Sequence, residues 1–172
     1  MSSSTIDRFV QIWEHESGLT RQLLDTLPEG HYDFRPDPEG RSLGELAWHL
    51  AELEGIMSTI ALTRDFGAAT SSGIERPRTL KEVASGYERI HREAVARVRE
   101  IRAEDLDLEF PFFGGRSISV RQVLWYPLLH HLIHHRGQLM MMIRMAKGVP
   151  SRVYGPNRED TAAFRAQRAN AG

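Results

Sequence analysis

The chain contains no cysteine. That excludes disulfides, thiolate ligands for a metal, and any nucleophilic thiol of the protein's own. A metal would have to be held by nitrogen and oxygen. Long apolar runs are also missing: none reaches the ~18 residues of a membrane-spanning helix, so no membrane association is expected. The opening Met1-Ser2-Ser3-Ser4-Thr5 has neither the charged nor the apolar region of a signal peptide, and the expected location is cytoplasmic. Excess charge of one sign is absent as well. Twenty-two Lys and Arg stand against 23 Asp and Glu, for a net charge of −1. Without a basic stripe the electrostatic footprint of a nucleic-acid binder is missing. No internal repeat breaks the chain. Its 172 residues, 41% apolar and 26% charged, fit one soluble domain over 1–172 with a short C-terminal tail.

What is present is helical. Four hydroxyl residues precede an acid or amide by three positions: Ser4…Asp7, Ser42…Glu45, Thr79…Glu82 and Ser119…Gln122. Each pair has the spacing of a capping box, in which two side chains satisfy the free N–H groups of a helix start. Each precedes a long stretch with apolar residues at helical period. Four caps before four amphipathic runs predict an all-α four-helix bundle. The expected helices are about 5–27, 43–63, 80–102 and 120–146. Pro28 and Gly30 stop the first, and Gly148 and Pro150 follow the last. Pro127 falls inside the fourth, where its missing N–H predicts a kink or one lost hydrogen bond. Gly114-Gly115 suggests a short hairpin within 110–118, and the tail from Ser151 has room for a short helix.

Four of the eight histidines lie in His130-His131-Leu132-Ile133-His134-His135. Residues four apart share a helix face, so His131 pairs with His135 and His130 with His134. Either pair offers two adjacent corners of a transition-metal site. His131 and His135 fall near the stripe of Val120, Leu124, Leu128, Leu139 and Met142. Val123 and Met141 give the other pair an inward face too, so spacing alone leaves the choice open. A third ligand must come from elsewhere. His49, between the apolar Leu46 and Leu50, is the candidate. For each of these rings the plainer reading is a core histidine satisfied by a neighbour. His15, His31 and His91 read as surface residues. Trp125, Leu129, Leu132 and Ile143 form a further apolar face on the last helix, more than one core stripe needs, which suggests a second copy of the chain as partner.

The segments Ser42-Leu-Gly-Glu-Leu-Ala-Trp-His49-Leu-Ala-Glu-Leu-Glu54 and His131-Leu-Ile-His-His135-Arg-Gly-Gln-Leu139, with the exit Gly148-Val-Pro-Ser-Arg-Val-Tyr-Gly-Pro156, resemble the DinB/YfiT-like family of small helical metalloproteins. The resemblance runs over nearly the whole chain, and its most specific element is His-x-x-x-His-Arg-Gly-Gln. It implies an up-down-down-up bundle, often homodimeric. It implies a divalent metal, usually nickel or zinc, on His49, His131 and His135, which selects 131/135 over 130/134. Some relatives look like S-transferases or isomerases that use bacillithiol, mycothiol or glutathione. Since the chain has no cysteine, a thiol would arrive as a low-molecular-weight cosubstrate and act on a small electrophile. A hydrolase-like reaction at such a metal is also open. The alternative is a non-enzymatic metal-binding stress-response protein or small-ligand sensor, which the lack of an identifiable acid, base or nucleophile beside the ligands favours. Arg136 is expected in a helix-to-helix ion pair, Gly137 at a close helix contact, and Glu52 as an acceptor orienting an imidazole. Gln138 is expected off the ligand face.

Overall fold

The computed structural model describes residues 5–68 and 73–170. Ser4 of the first capping signature, and Ser71 and Ser72 of the loop after the second helix, fall outside them. The fold is mostly helical. Helix α1 spans Thr5–Leu24, α2 Leu43–Thr63 and α3 Val83–Arg99. Strands β1 (Glu109–Pro111) and β2 (Ser117–Ser119) pair antiparallel about Gly114 and Gly115, both at positive φ as a tight reversal requires. A continuous helical stretch then runs from α4 (Val120–Val123) through a π-helical segment, Leu124–His130, into α5 (His131–Met145). Helix α6 (Arg158–Asn170) lies in the tail with no buried residue.

Two of the capping signatures form as expected. Ser42 and Ser119 each accept from the N–H three residues on, and Glu45 and Gln122 reach back to the cap N–H. Thr79 behaves differently. Its hydroxyl donates to the Glu82 carboxylate at 2.6 Å, and a 3-10 turn over Leu80–Glu82 leads into α3. The first helix ends at Leu24 rather than Leu27, because Pro28 disfavours helical backbone at the residue before it. Thr26 closes the end by donating its hydroxyl to the Leu23 carbonyl. At the far end Lys147 takes the left-handed conformation, while the Gly148 N–H returns to Ile143 O at 2.8 Å. A Cβ on Gly148 would stand 2.8 Å from the Ile143 side chain, so glycine is needed there for space.

Helix α2 packs most closely on α3, with α5 and the π-helical segment against it as well, and α1 leans on α3 and α5. The core between them holds Trp13, Trp48, Tyr87, Leu50, Ile90 and Leu128, each almost fully buried. The wide turn around Pro127 has a consequence for phase. Adding a residue to one turn rotates everything beyond it by about 100° relative to a regular helix. The fully buried stripe therefore continues through Leu129, Leu132, Arg136, Leu139 and Ile143. The face expected to await a partner is thus the chain's own core, and His131 and His135 flank that stripe half-buried.

Arg136 enters the core with partners. It donates to Glu16 Oε2 at 2.5 Å, to the Glu16 carbonyl and to Thr20 Oγ1, tying α5 to α1. Tyr154 OH joins it and donates to the same Glu16 carboxylate, which fastens the chain after α5. The expected helix-to-helix ion pair is present, and it is buried. Gly137 is exposed with open space where a Cβ would stand, so it serves no helix contact within the chain.

Glu54 of α2 is the centre of a second polar group. Its carboxylate, fully buried, accepts from Trp13 Nε1 at 2.9 Å and from Tyr87 OH at 2.6 Å, and lies 2.7 Å from His91 Nδ1. Tyr87 also contacts Ser17. His91 is therefore no surface residue: its side chain is 14% exposed and packs between Trp13 and Tyr87. Neither the carboxylate nor its role was apparent from a sequence in which Glu54 follows an otherwise ordinary amphipathic run.

Candidate metal centre

His49 projects from the middle of α2 between the buried Trp48 and Leu50, and keeps 15% of its side chain exposed. The helix is anchored two turns upstream by the Ser42 capping box, so the ring's position is fixed from a well-formed helix start. His131 opens α5 directly after the π-helical segment, and His135 follows one turn on. The three side chains converge. Each offers a ligand atom within 4.8 Å of the others, and no other such group of His, Asp or Glu occurs among the described residues. Ring centroids are 4.5 Å apart for His131 and His135, 4.8 Å for His49 and His135, and 6.0 Å for His49 and His131.

The other histidines of the cluster stay out. His130 is exposed and packs edge-on to Tyr126, and His134 is exposed on the outer face. The rotation imposed at Pro127 brings one pair toward α2 and turns the other outward, a choice that spacing could not make.

Outer partners orient two of the rings. Glu52 Oε2 lies 3.4 Å from His49 Nδ1, the geometry expected of an orienting acceptor one turn along. Gln138 Oε1 lies 2.6 Å from His135 Nδ1, while its amide nitrogen lies 3.1 Å from His134 Nε2. The expectation that Gln138 stays clear of the ligand face was incorrect. A side chain three residues along a helix reaches back over the same face, and this spacing was available in the sequence.

These contacts dictate where the protons sit. With Gln138 accepting at Nδ1, His135 carries its proton there and turns a bare Nε2 toward the cluster. That Nε2 lies only 2.8 Å from His131 Nε2. Two lone pairs at this distance repel unless a proton or a cation lies between them. His49 Nε2 has no protein partner among the described residues. Protonating the rings is resisted. Burial, then the neighbouring His49 and His134, lowers the His131 pKa, opposed by a contact with the Pro127 backbone. Burial also holds His135 down to about 4, against the opposing hydrogen bond that its Nδ1–H donates to Gln138. Both rings are neutral near pH 7 and need shed no proton to bind a metal.

A donor set of three imidazoles, with Nδ1 engaged on two of them, fits a borderline divalent transition metal such as zinc or nickel. It leaves the ion its full charge and room for further ligands, as at catalytic rather than closed structural sites.

Known proteins place the chain. The family model described as the DinB family matches residues 1–169. An uncharacterised protein of Bacillus subtilis (strain 168), YrdA, is 29% identical over 164 residues, which span 93% of this chain and 94% of that protein. Among crystal structures, a DinB-like protein from Bacillus cereus ATCC 10987 superposes with a TM-score of 0.69 at 28% identity, covering 85% of this chain and 95% of that one. The DinB-like protein YjoA of Bacillus subtilis superposes with a TM-score of 0.71, covering 87% and 99%, and at 20% identity supports the fold alone. With the family model covering the chain almost from end to end, this protein belongs to the DinB family.

Proposed function

We propose that the protein is a metal-dependent enzyme that joins a low-molecular-weight thiol to a small electrophile, with His49, His131 and His135 holding nickel or zinc. The observation that carries this reading is the meeting of His131 Nε2 and His135 Nε2 at 2.8 Å, with His49 alongside. Glu52 and Gln138 hold their rings with Nε2 presented inward. Arg136 keeps α5 in register against α1, so the spacing of the His131 and His135 rings relative to α2 is set by buried structure rather than by the rings themselves. A metal bound there supplies Lewis acidity, which lowers the pKa of a thiol or water reaching its open side. The chain has no thiol of its own, so the nucleophilic sulfur belongs to a cosubstrate. The thiol proton leaves to solvent or Glu52, and the sulfur forms its new bond as the electrophile's leaving group departs.

The same reading treats the four long helical stretches as one up-down-down-up bundle in a single domain that pairs as a homodimer. The support for pairing is an uncharged outer stripe on the last helix. It runs through Tyr126, His130, His134, Gly137, Met141 and Met145, all exposed, and carries no like charges to oppose self-association. Sedimentation across a range of concentrations tests it, and a monomer throughout would remove it.

The function is tested by elemental analysis of untagged protein, followed by a screen of metal-loaded enzyme with bacillithiol, mycothiol and glutathione against electrophilic acceptors. Stoichiometric metal with thiol-dependent turnover is expected. Metal-loaded protein inert with all three thiols would sink the transferase reading.

A further inference from the structure

Glu52, the partner of His49, also lines a cleft of about 590 Å³, within the size range of small-molecule sites. Its floor is Tyr32. A Cβ on Gly44 would stand 2.5 Å from the Tyr32 ring, so the ring lies flat over the start of α2 only because residue 44 is glycine. Tyr32 OH donates to the Pro77 carbonyl at 2.8 Å and so ties down the segment that brings Glu75, Arg76 and Arg78 to the cleft.

The lining charges are of both signs: Arg76 and Arg78 against Asp33, Glu52 and Glu75. They are not matched to each other. Among the described residues Arg78, Asp33 and Glu75 form no ion pair, and Arg76 reaches only Glu45 at 3.7 Å. Glu52 is engaged with His49. A purely anionic ligand would meet three carboxylates, and a purely cationic one two guanidinium groups. An apolar ligand would strip water from all five without replacing it. A ligand with an ammonium and a carboxylate satisfies both sets.

We infer that this cleft binds the zwitterionic end of an amino-acid-derived thiol, and that it is the cosubstrate subsite of the centre described above. Its carboxylate lies against Arg76 and Arg78, its ammonium against Asp33 and Glu75, and its sulfur end passes Glu52 toward the histidines. This rests on the thiol-transfer reading, yet it is separable from it, since the cleft's charges need no metal.

The test is calorimetric titration of the full chain with S-methylglutathione, whose amino and carboxyl groups are intact but whose sulfur is blocked. Parent and His131→Ala protein are expected to bind it alike. Arg78→Glu is expected to bind about tenfold more weakly and Arg78→Lys to fall between, as loss and retention of a charge contact dictate. Arg78 is exposed, so neither substitution threatens the fold. Unchanged affinity in Arg78→Glu, or no binding to the parent at millimolar probe, overturns the inference. Metal analysis of the same preparations separates the two ideas. Probe binding by protein that takes up no metal supports the cleft and defeats the metal-centred reading. Metal uptake without probe binding defeats the cleft alone.

Discussion

Glu54 and His49 leave the same helix five residues apart and meet opposite company. Around Glu54 one acceptor group is surrounded by the donors of Trp13 and Tyr87, with His91 beside it, so every polar atom finds its complement inside the chain. Around His49 three rings of the same kind converge, and the two nitrogens that meet, His131 Nε2 and His135 Nε2, can share a single proton or a single cation. The first group is complete and joins α1, α2 and α3. The second is a set of like rings that lean on one another, with Glu52 and Gln138 behind two of them. Convergent, half-buried imidazoles held in this way mark a candidate site for a ligand from outside the chain.

That contrast is breakable. His131→Ala is expected to reduce a stoichiometric metal content to none, while leaving the metal-free protein within about 1 kcal/mol of the parent's stability, because the ring is only half-buried. Elemental analysis and denaturant unfolding of one preparation read both quantities. Glu54→Ala should do the reverse. It strands the Trp13 and Tyr87 donors in the core, which costs about 3 kcal/mol, with metal uptake intact. Metal loss without destabilisation in Glu54→Ala would erase the distinction. A finer measurement concerns the orienting residues. Glu52→Ala and Gln138→Ala are each expected to weaken metal affinity about tenfold in competition with a chelator, the usual cost of removing a group that orients a ligand.

The smallest effect is in acid. Glu45 is held down to about 2 by the Arg35 guanidinium and then by the Ser42 backbone hydrogen bond. Its folded pKa is lowered, so the stability it contributes is present above the ordinary carboxylate value near 4.5 and is lost as pH falls toward 2. Glu45→Gln should therefore flatten part of the stability profile between about pH 4.5 and 2 without altering the profile above it.

Much of this was legible in the sequence, and unevenly. The Ser42 and Ser119 caps, the span of α2 and the glycine hairpin follow from local patterns, and local forces decide them. The spacing of His131 and His135 named a pair of ligands but left His130 and His134 equal to it. Resemblance chose between the pairs, and the physical reason became visible only with the wide turn at Pro127. The same turn explains why Leu129, Leu132 and Ile143 are core rather than a partner's docking face. His91 was read as a surface residue because its neighbours in sequence are charged, while its partners stand 37 and 78 positions away.

By itself, then, the sequence determined a helical protein without thiols, its helix starts, and the three histidines that its motifs bring forward. Tertiary structure alone decided which way those rings face, that Arg136 and His91 are buried, and that Glu54 is satisfied. Helix periodicity is a property of neighbours along the chain, so it survives in the sequence. Complementarity between a buried acceptor and its donors is a property of packed surfaces, and it exists only once α1, α2, α3 and α5 have met.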